Sequence, residues 1–347
     1  MRILYQSILS RSWIRQRPHF LAEGLAGTGE EVFWFYTAVA GKCRFRRWKD
    51  GLELPAFPFA SRSRAIVRLN RLWTGFWLRN QRPDVVVATN PVTWDWMPAR
   101  LRARPTLYDC MDIHEQFYDG FRRERLHRVE AELVRASARI TASSPAIAEH
   151  LRRRYGVGTD SVVLLPNAYS PEGFRNVVPR EGLKSPAILY AGTMDAWFDW
   201  ASVVAAAQAH PEWTFYLVGP CVKAPEDLPA NIVMHGPVDH ADLPSWLVAA
   251  DVLLLPFVRT PLIDGVDPVK MYEYLAAGRP VVSSWWPVLE KYWGLPAVSF
   301  YDPAAKPLAQ VLETSLRGPS EMPPPANLCE NTWEARVGRL REVIALN

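Results

Sequence analysis

Short apolar runs that alternate with helical patterns constrain the fold of this 347-residue chain more than any other feature. Runs of about four to eight apolar residues between turn signals are typical of strands buried on both faces of a parallel sheet. Six precede residue 170, and six follow the Pro-bearing segment 171–186: RILYQS, EVFWFY, DVVVAT, PTLYDC, ARITAS and SVVLLP, then AILYAG, WTFYLVG, NIVMHG, ADVLLLPF, PVVSS and AVSF. We therefore expect two doubly wound α/β domains, over 1–170 and 171–330, and a terminal helix over 331–347.

The remaining composition narrows the class of protein. No apolar run reaches the ~18 residues that a membrane span needs. The first ten residues, MRILYQSILS, form a strand pattern rather than a signal peptide, so we expect a cytoplasmic protein. The four cysteines, Cys43, Cys110, Cys221 and Cys329, show neither CxxC nor metal-ligand spacing, so we expect reduced, unpaired thiols and no metal.

The net charge of +4 is unevenly distributed along the chain. Residues 1–170 hold 27 Lys and Arg against 16 Asp and Glu, whereas residues 171–347 hold 13 against 20. The resulting charges of +11 and −7 indicate an anionic partner for the first half. A membrane surface, a phosphorylated acceptor and a nucleic acid all fit that charge.

The segment 263–284, IDGVDPVKMYEYLAAGRPVVSS, combines a polar loop, a helix, a Gly stop and a strand. We expect the helix to begin near Pro268 and to end at Gly278, where a positive φ lets the chain turn. Lys270 and Glu273 lie three residues apart near the helix N-terminus. The Lys270 cation and the N-terminal amide groups could bind a phosphate, and Glu273 could accept hydrogen bonds from sugar hydroxyls. The alternative is an ordinary helix with a solvated Lys–Glu pair.

The run VDPVKMYEYLAAGRPVVSS resembles the nucleotide-sugar-binding helix of GT-B-fold glycosyltransferases. It is similar to those of family 4 and of bacterial polysaccharide transferases of the xanthan glucuronosyltransferase and teichuronic-acid types. The resemblance implies that Lys270 contacts the donor diphosphate and that Glu273 contacts the nucleoside or sugar. Val266 is a further expected donor-binding residue. Gly265 stands where family 4 usually has another Glu, with Asp264 beside it, so both inversion and retention stay open.

The resemblance covers most of residues 186–284, because AGT, VGP, HGPV and the helix appear in the family's order. It implies two Rossmann-like domains facing across a cleft, with a terminal helix that crosses back to the first domain. It also implies donor-binding roles for residues that follow three strands of the second domain: Gly192, Thr193, Gly219, Gly236 and Pro237. The resemblance also implies a transfer reaction without a metal, with which the lack of a DxD motif agrees, and we expect no cofactor.

Two basic segments of the first half are candidates for acceptor and membrane contact. Arg15 and Arg17 lie in the loop after the first strand, where they would bind a phosphate or an acidic sugar; a solvated basic loop is the alternative. The helical segment 61–84 carries Trp73 and Trp77 among several arginines, a composition that suits a bilayer interface. An ordinary sheet-covering helix explains that segment as well.

The stretch PTLYDCMDIHEQF offers the best catalytic carboxylates. Glycosyl transfer with inversion needs one base to take the proton from the acceptor hydroxyl. By resemblance, Asp112 is the expected base, with Asp109 as its support or as the base itself and Glu115 as a third choice. Helix capping is the alternative role for the two aspartates.

These patterns, taken with the resemblance, lead us to expect a glycosyltransferase that moves a sugar from a nucleotide diphosphate sugar, a UDP-sugar, to a lipid-linked saccharide in bacterial surface or exopolysaccharide synthesis. The expected partners are the donor, the lipid-linked acceptor and the inner face of the cytoplasmic membrane, with no nucleic acid. A nucleotide-sugar epimerase of the same fold and a non-catalytic binding protein for an anionic polymer remain alternatives. A Rossmann dehydrogenase is disfavoured, because no GxGxxG follows the first strand.

Overall fold

Two sheets organise the chain, and each belongs to its own structural unit. The computed structural model describes residues 1–39, 41–60, 63–118 and 120–345. The first unit comprises Met1–Pro166 and Trp333–Asn347, and the second comprises Asn167–Thr332. The end of the expected terminal helix, residues 346–347, lies outside the described residues.

The first unit is built on a sheet of eight strands, in the order β3-β4-β2-β1-β5-β6-β7-β8. Its strands are β1 (Arg2–Ser7), β2 (Glu31–Val39), β3 (Arg46–Trp48), β4 (Gly51–Ala56), β5 (Val85–Ala88), β6 (Thr106–Cys110), β7 (Ser137–Ala142) and β8 (Val162–Leu164). All neighbouring pairs are parallel except β3 with β4. The six strands expected here from the sequence are confirmed, and β3 and β4 form an additional edge.

Helices cover this sheet. They are α1 (Arg17–Gly27), α2 (Arg64–Trp77), α3 (Pro91–Asp95), α4 (Ala99–Arg102), α5 (Gly120–Ala136), α6 (Pro145–Tyr155) and α11 (Trp333–Ala345), with a short 3-10 helix at His114–Phe117. The terminal helix α11 packs on α1, where the Phe20 and Trp333 rings stack at 4.8 Å. Gly24 permits this approach, because an added Cβ would overlap the Val337 side chain. The C-terminal helix is therefore part of the first unit.

The second unit is built on a parallel sheet of six strands, in the order β11-β10-β9-β12-β13-β14. Its elements are β9 (Ala187–Ala191), α7 (Trp200–Ala209), β10 (Thr214–Val218), β11 (Ile232–Gly236), α8 (Leu243–Ala249), β12 (Val252–Leu255), α9 (Val269–Ala276), β13 (Val281–Ser284), β14 (Val298–Tyr301) and α10 (Leu308–Arg317). All six strands expected here are confirmed. β9 and β12 are buried along their whole length, as central strands of a doubly wound sheet must be.

The helix expected after Pro268 forms as α9, with Pro268 at its N-cap. Gly278 follows the helix with φ +66°, a conformation that glycine adopts without steric cost. The helix is more deeply buried than one apolar face would make it, because Tyr272 and Glu273 are buried together with Met271, Tyr274 and Leu275. The polar groups of α9 therefore point at protein groups or at a site, rather than into bulk solvent.

Candidate functional site

Three loops of the second unit meet at the carboxyl edge of its sheet, after β9, β10 and β11. Backbone hydrogen bonds continue the sheet pairing into the loops, because the amide of Gly192 donates to Val218 at 2.7 Å and that of Gly219 donates to Gly236 at 2.8 Å. Gly192 and Gly219 have φ values of +144° and +138°, and a Cβ on Gly219 would overlap the Gly192 carbonyl. Glycine is thus required where these loops pass each other, and the edge presents bare backbone to a ligand.

Lys270 projects from the first turn of α9 towards this glycine edge. A Cβ at Gly192 would overlap its side chain, and its Nζ lies 5.7 Å from the centre of the Tyr190 ring and 5.9 Å from that of Phe257. Burial lowers the pKa of Lys270, and the charge of Glu273 opposes that effect only in part. Among the described residues no carboxylate lies within ion-pair distance of Lys270. Lys270 is therefore a desolvated cation without a carboxylate partner in the described part of the chain.

Glu273 lies one turn along the same helix and faces the loop after β11. Its Oε1 is 3.1 Å from Nε2 of His240, four residues beyond Gly236. The helix is fixed to the sheet from its other side, since the Ala191 amide donates to the Tyr274 hydroxyl at 2.9 Å. Glu273, Lys270 and the Gly192, Gly219 and Gly236 loops are therefore brought together, as expected for one site. Thr193 is half-buried beside Gly192, and Pro237 is exposed after Gly236.

Asp267 organises the loop that leads into α9, and the sequence analysis did not single it out. Its carboxylate accepts hydrogen bonds from the Asn167 amide at 2.7 Å, from the Tyr272 hydroxyl at 2.9 Å and from Lys291 Nζ at 2.8 Å. The neighbouring Val266 carbonyl accepts the Trp286 indole N–H at 2.8 Å. The loop is thus fixed from three directions. A VDP sequence next to the helix start is the signal that could have pointed to this anchor.

The other aspartate of that loop makes a separate, exposed contact. Asp264 Oδ1 accepts from Arg259 Nε at 2.7 Å. Gly265, where the family usually has a Glu, is buried in a 3-10 turn. Asp264 therefore does not take the position of the missing carboxylate, because its charge is directed to Arg259.

In the first unit, Asp109 and Arg17 pair with each other. Arg17 Nη2 and Nε donate to the two Asp109 oxygens at 2.7 and 3.0 Å, and the Thr141 hydroxyl donates to the same carboxylate at 2.7 Å. Arg17 Nη1 also donates to the Leu165 carbonyl at 2.8 Å. The two side chains are 3% and 0% exposed, so this is an internal ion pair that joins α1 to β6.

The two remaining carboxylates after β6 differ in their partners. Glu115 Oε2 lies 2.5 Å from His127 Nε2, which commits it to that histidine. The Asp112 carboxylate has no hydrogen-bond or ion-pair partner within residues 1–39, 41–60, 63–118 and 120–345. Burial raises its pKa, and nearby His114 and Arg17 oppose the rise. Of the three expected candidates, Asp112 is the one whose oxygens are available to another molecule.

The remaining expected contacts lie at the surface of the first unit. Arg15 is exposed and pairs with Glu23 at 2.6 Å. Trp73 and Trp77 are half-buried against the core, and the Trp73 indole donates to the Pro55 carbonyl at 3.0 Å. These tryptophans are turned towards the sheet, because α2 must bury one face on it. None of the described helices has the length and apolar character to cross a bilayer.

Comparison with known proteins finds a glycosyltransferase domain in each half of the chain. Residues 14–168 match the "Glycosyl transferase 4-like domain", and residues 185–292 match "Glycosyl transferases group 1". The chain is 27% identical over 339 residues to TuaH of Bacillus subtilis (strain 168), which is described as a teichuronic acid biosynthesis glycosyltransferase. That similarity covers 81% of each protein.

Solved structures show the same fold. The sucrose-phosphate synthase from Thermosynechococcus elongatus superposes with a TM-score of 0.75 at 18% identity, over 100% of both chains. HepE from Anabaena, solved in complex with UDP and glucose, superposes with a TM-score of 0.66 at 14% identity, over 99% of both chains. With two Rossmann-like sheets and matches to both transferase domain models in sequence order, the chain is a glycosyltransferase with the GT-B fold.

Proposed function

We propose that this enzyme transfers a sugar from a UDP-sugar, bound by the second unit, to a lipid-linked saccharide bound by the first unit, in the synthesis of a bacterial surface or exopolysaccharide. The observation that carries the donor assignment is the Lys270 ammonium, desolvated beside the Gly192 backbone and without an anionic partner among the described residues. A buried charge is costly unless it is paired, and a diphosphate supplies the missing charge.

We assign the diphosphate of the donor to the residues around Lys270. The diphosphate would lie between Lys270, the first turn of α9 and the backbone at Gly192 and Thr193, because helix N-termini and close-approaching glycines favour phosphate. During transfer the glycosidic C–O bond to the diphosphate breaks, and the same cation and amides stabilise the negative charge that develops on the leaving oxygen.

The nucleoside end of the donor is assigned to the far side of the same edge. Glu273 can accept hydroxyl hydrogens of the ribose or sugar, while Gly236, Pro237 and Gly219 form a backbone-lined wall for the base. UDP as the nucleotide is supported by the Anabaena structure, which contains UDP and glucose and has a similar fold. The polysaccharide assignment is supported by TuaH, whose description names teichuronic acid biosynthesis.

Asp112 is the proposed base on the acceptor-binding unit. It takes the proton from the acceptor hydroxyl as that oxygen forms its bond to the anomeric carbon. The assignment is supported by its available oxygens, whereas Asp109 is held by Arg17 and Glu115 is held by His127. Arg15 and Arg17 were expected to bind the acceptor, but each already has a carboxylate partner, so we assign Arg17 a structural role.

Contact with the membrane is proposed through the outer face of α2. Leu69, Leu72 and Phe76 are 41%, 73% and 54% exposed on that face, and Arg68 and Arg79 are exposed beside them. An apolar strip flanked by arginines suits anionic headgroups, where the aliphatic and aromatic groups enter the interface. This surface replaces Trp73 and Trp77 as the proposed contact and suits an acceptor that resides at the inner face of the membrane.

A screen of nucleotide diphosphates and nucleotide sugars tests the proposal. We expect UDP and a UDP-sugar to raise the melting temperature of the full chain, because a ligand that binds only the folded state stabilises it. A UDP-sugar that stabilises the protein should also be hydrolysed slowly and transferred to lipid extracts that contain the acceptor. Absence of a shift with every uridine nucleotide would overturn the UDP assignment, and stabilisation by another nucleotide would replace it.

A further inference from the structure

A thiol, an imidazole and a carboxylate are buried together behind the end of β6. Cys110 is the last residue of β6, His114 begins the 3-10 helix that follows, and Glu130 lies on α5. One ligand atom from each, Sγ, a ring nitrogen and a carboxylate oxygen, lie within 4.8 Å of one another. The three side chains come from separate elements, so their convergence is a property of the fold.

The first observation that points to a bound ligand is the unsatisfied imidazole of His114. The residue is 1% exposed, and neither Nδ1 nor Nε2 has a hydrogen-bond partner among the described residues. Its ring stacks on Tyr108 at 6.3 Å, which holds the imidazole in place without satisfying its nitrogens. A buried polar group without a partner is unfavourable, so a ligand that uses the nitrogen lone pair would relieve the cost.

The second observation that points to a bound ligand is the buried carboxylate of Glu130. It is 2% exposed, and its two oxygens accept the Tyr108 hydroxyl at 2.6 Å and the Tyr155 hydroxyl at 2.7 Å. The ion pairs of the described part of the chain include none with Glu130. Two neutral donors orient the carboxylate and leave its charge uncompensated in the interior, where a cation would compensate it.

We propose that Cys110, His114 and Glu130 bind a zinc ion. Sulfur, imidazole nitrogen and carboxylate oxygen are the ligand types that zinc takes, and three protein ligands leave one of its four positions for water. On binding, the Cys110 S–H bond breaks, its proton passes to solvent and the sulfur bonds to the metal. The thiolate and carboxylate then balance the two charges of the ion, which makes the buried centre neutral.

The proposed centre takes no part in donor binding, but it lies next to the proposed base. It ties β6, the following 3-10 helix and α5 to one point, and the segment between its first two ligands carries Asp112. Its role is to fix that segment, so the donor site of the second unit does not depend on it. The sequence pattern did not predict this cluster, because Glu130 lies 16 residues after His114, on another element.

Metal loading of the full chain tests the proposal. Protein stripped with a chelator is incubated with Zn²⁺ or Co²⁺ and dialysed, and the retained metal and the visible and near-ultraviolet spectrum of the cobalt form are measured. We expect about one retained ion per chain and a thiolate-to-cobalt charge-transfer band. The proposal would be overturned if the chain retained no more metal than a protein without such a cluster. It would also be overturned if bound cobalt gave no thiolate band.

Variants identify the ligands. A triple variant, Cys43→Ser, Cys221→Ser and Cys329→Ser, leaves Cys110 as the only thiol and should keep the ion and the band. Cys110→Ser should lose the band and His114→Ala should retain at least tenfold less metal, while Cys43→Ser, a change at another buried thiol of the same unit, retains it. Should the ligand variants not fold, loss of the band in the triple variant contradicts the site by itself.

Discussion

Arg17 in the first unit and Lys270 in the second were both expected to bind phosphate, and the structure gives them opposite surroundings. Arg17 is neutralised by Asp109 through two hydrogen bonds in the interior. Lys270 is also desolvated, but it faces two aromatic rings and bare glycine backbone. The first cation joins two elements of the first unit, whereas the second has no carboxylate partner among the described residues, and we propose that it binds the donor.

The same contrast separates the carboxylates after β6. Asp109 has Arg17 and Thr141 as partners, and Glu115 has His127. Asp112, three residues from each of the others, has no such partner among the described residues. We therefore assign Asp109 and Glu115 to the scaffold and propose that Asp112 takes part in the reaction, because functional sites often keep charged groups that the fold does not pair.

The largest effect expected from this contrast is on stability. Arg17→Met should lower the free energy of unfolding by about 3–5 kcal/mol, because it leaves the Asp109 charge buried and unpaired. Arg15→Met, which removes an exposed pair with Glu23, is the matched control and should cost less than about 1 kcal/mol. Denaturant titration measures both. Equal losses for the two variants would contradict the scaffold role of Arg17.

Asp112→Asn should affect catalysis and spare the fold. Loss of a positioned base lowers the rate of transfer by about 10²–10⁴-fold, and the amide occupies the same volume without a lost ion pair. Glu115→Gln is the comparison, since that carboxylate is already committed to His127. The measurement is transfer with donor and acceptor at saturation. A larger loss of transfer rate in Glu115→Gln than in Asp112→Asn would indicate that Glu115, and not Asp112, is the base.

A smaller effect is expected at the outer face of α2. Phe76→Ser should weaken binding to vesicles that contain anionic lipid by about tenfold, because a phenyl group no longer enters the interface. Leu164→Ser is the control, since Leu164 is 45% exposed elsewhere on the same unit. Co-sedimentation measures both variants. Unchanged binding of Phe76→Ser would exclude this face.

The smallest effect is on the pH dependence of stability without ligand. The folded-state pKa of Lys270 is lowered, so the unfolded chain binds more protons between that value and about 10.4, and stability rises with pH there. The slope from this one group is at most about 1.4 kcal/mol per pH unit. Lys270→Met should remove that contribution in denaturant titrations across the window. An identical slope in both proteins would show that Lys270 is not desolvated.

Much of the fold follows from the sequence, because twelve strands are short apolar runs between turn signals, and most of them are buried, as strands of a parallel sheet are. β4 was not anticipated, since GLELPA is interrupted by Glu53 and Pro55, and the three-residue β3 has too few residues to show a period. Glu53 becomes buried there because the Ser10 hydroxyl and the Arg11 amide donate to it at 2.6 and 2.7 Å. Such tertiary partners cannot be read from a local pattern.

Part of the candidate site also follows from local sequence patterns, and part depends on tertiary partners. The helix carrying Lys270 and Glu273, and the glycines after β9 and β10, are set by local spacing and backbone requirements, so sequence reasoning brings them to one edge. The partners of Arg17, the inward turn of Trp73 and Trp77 and the role of Asp267 depend on residues distant in sequence. A charge or an indole has the same local signature whether it meets a ligand or a neighbouring strand.

Calorimetric titration of UDP into three proteins tests the central claim about Lys270 most directly. Wild-type protein and Lys223→Met, in which an exposed lysine of the same unit is changed, should bind UDP with equal affinity. Lys270→Met should bind it about 10²-fold more weakly while its melting temperature stays equal or rises, because the variant removes a desolvated, unpaired cation. Unchanged UDP affinity in Lys270→Met, or a loss explained by unfolding, would contradict the account.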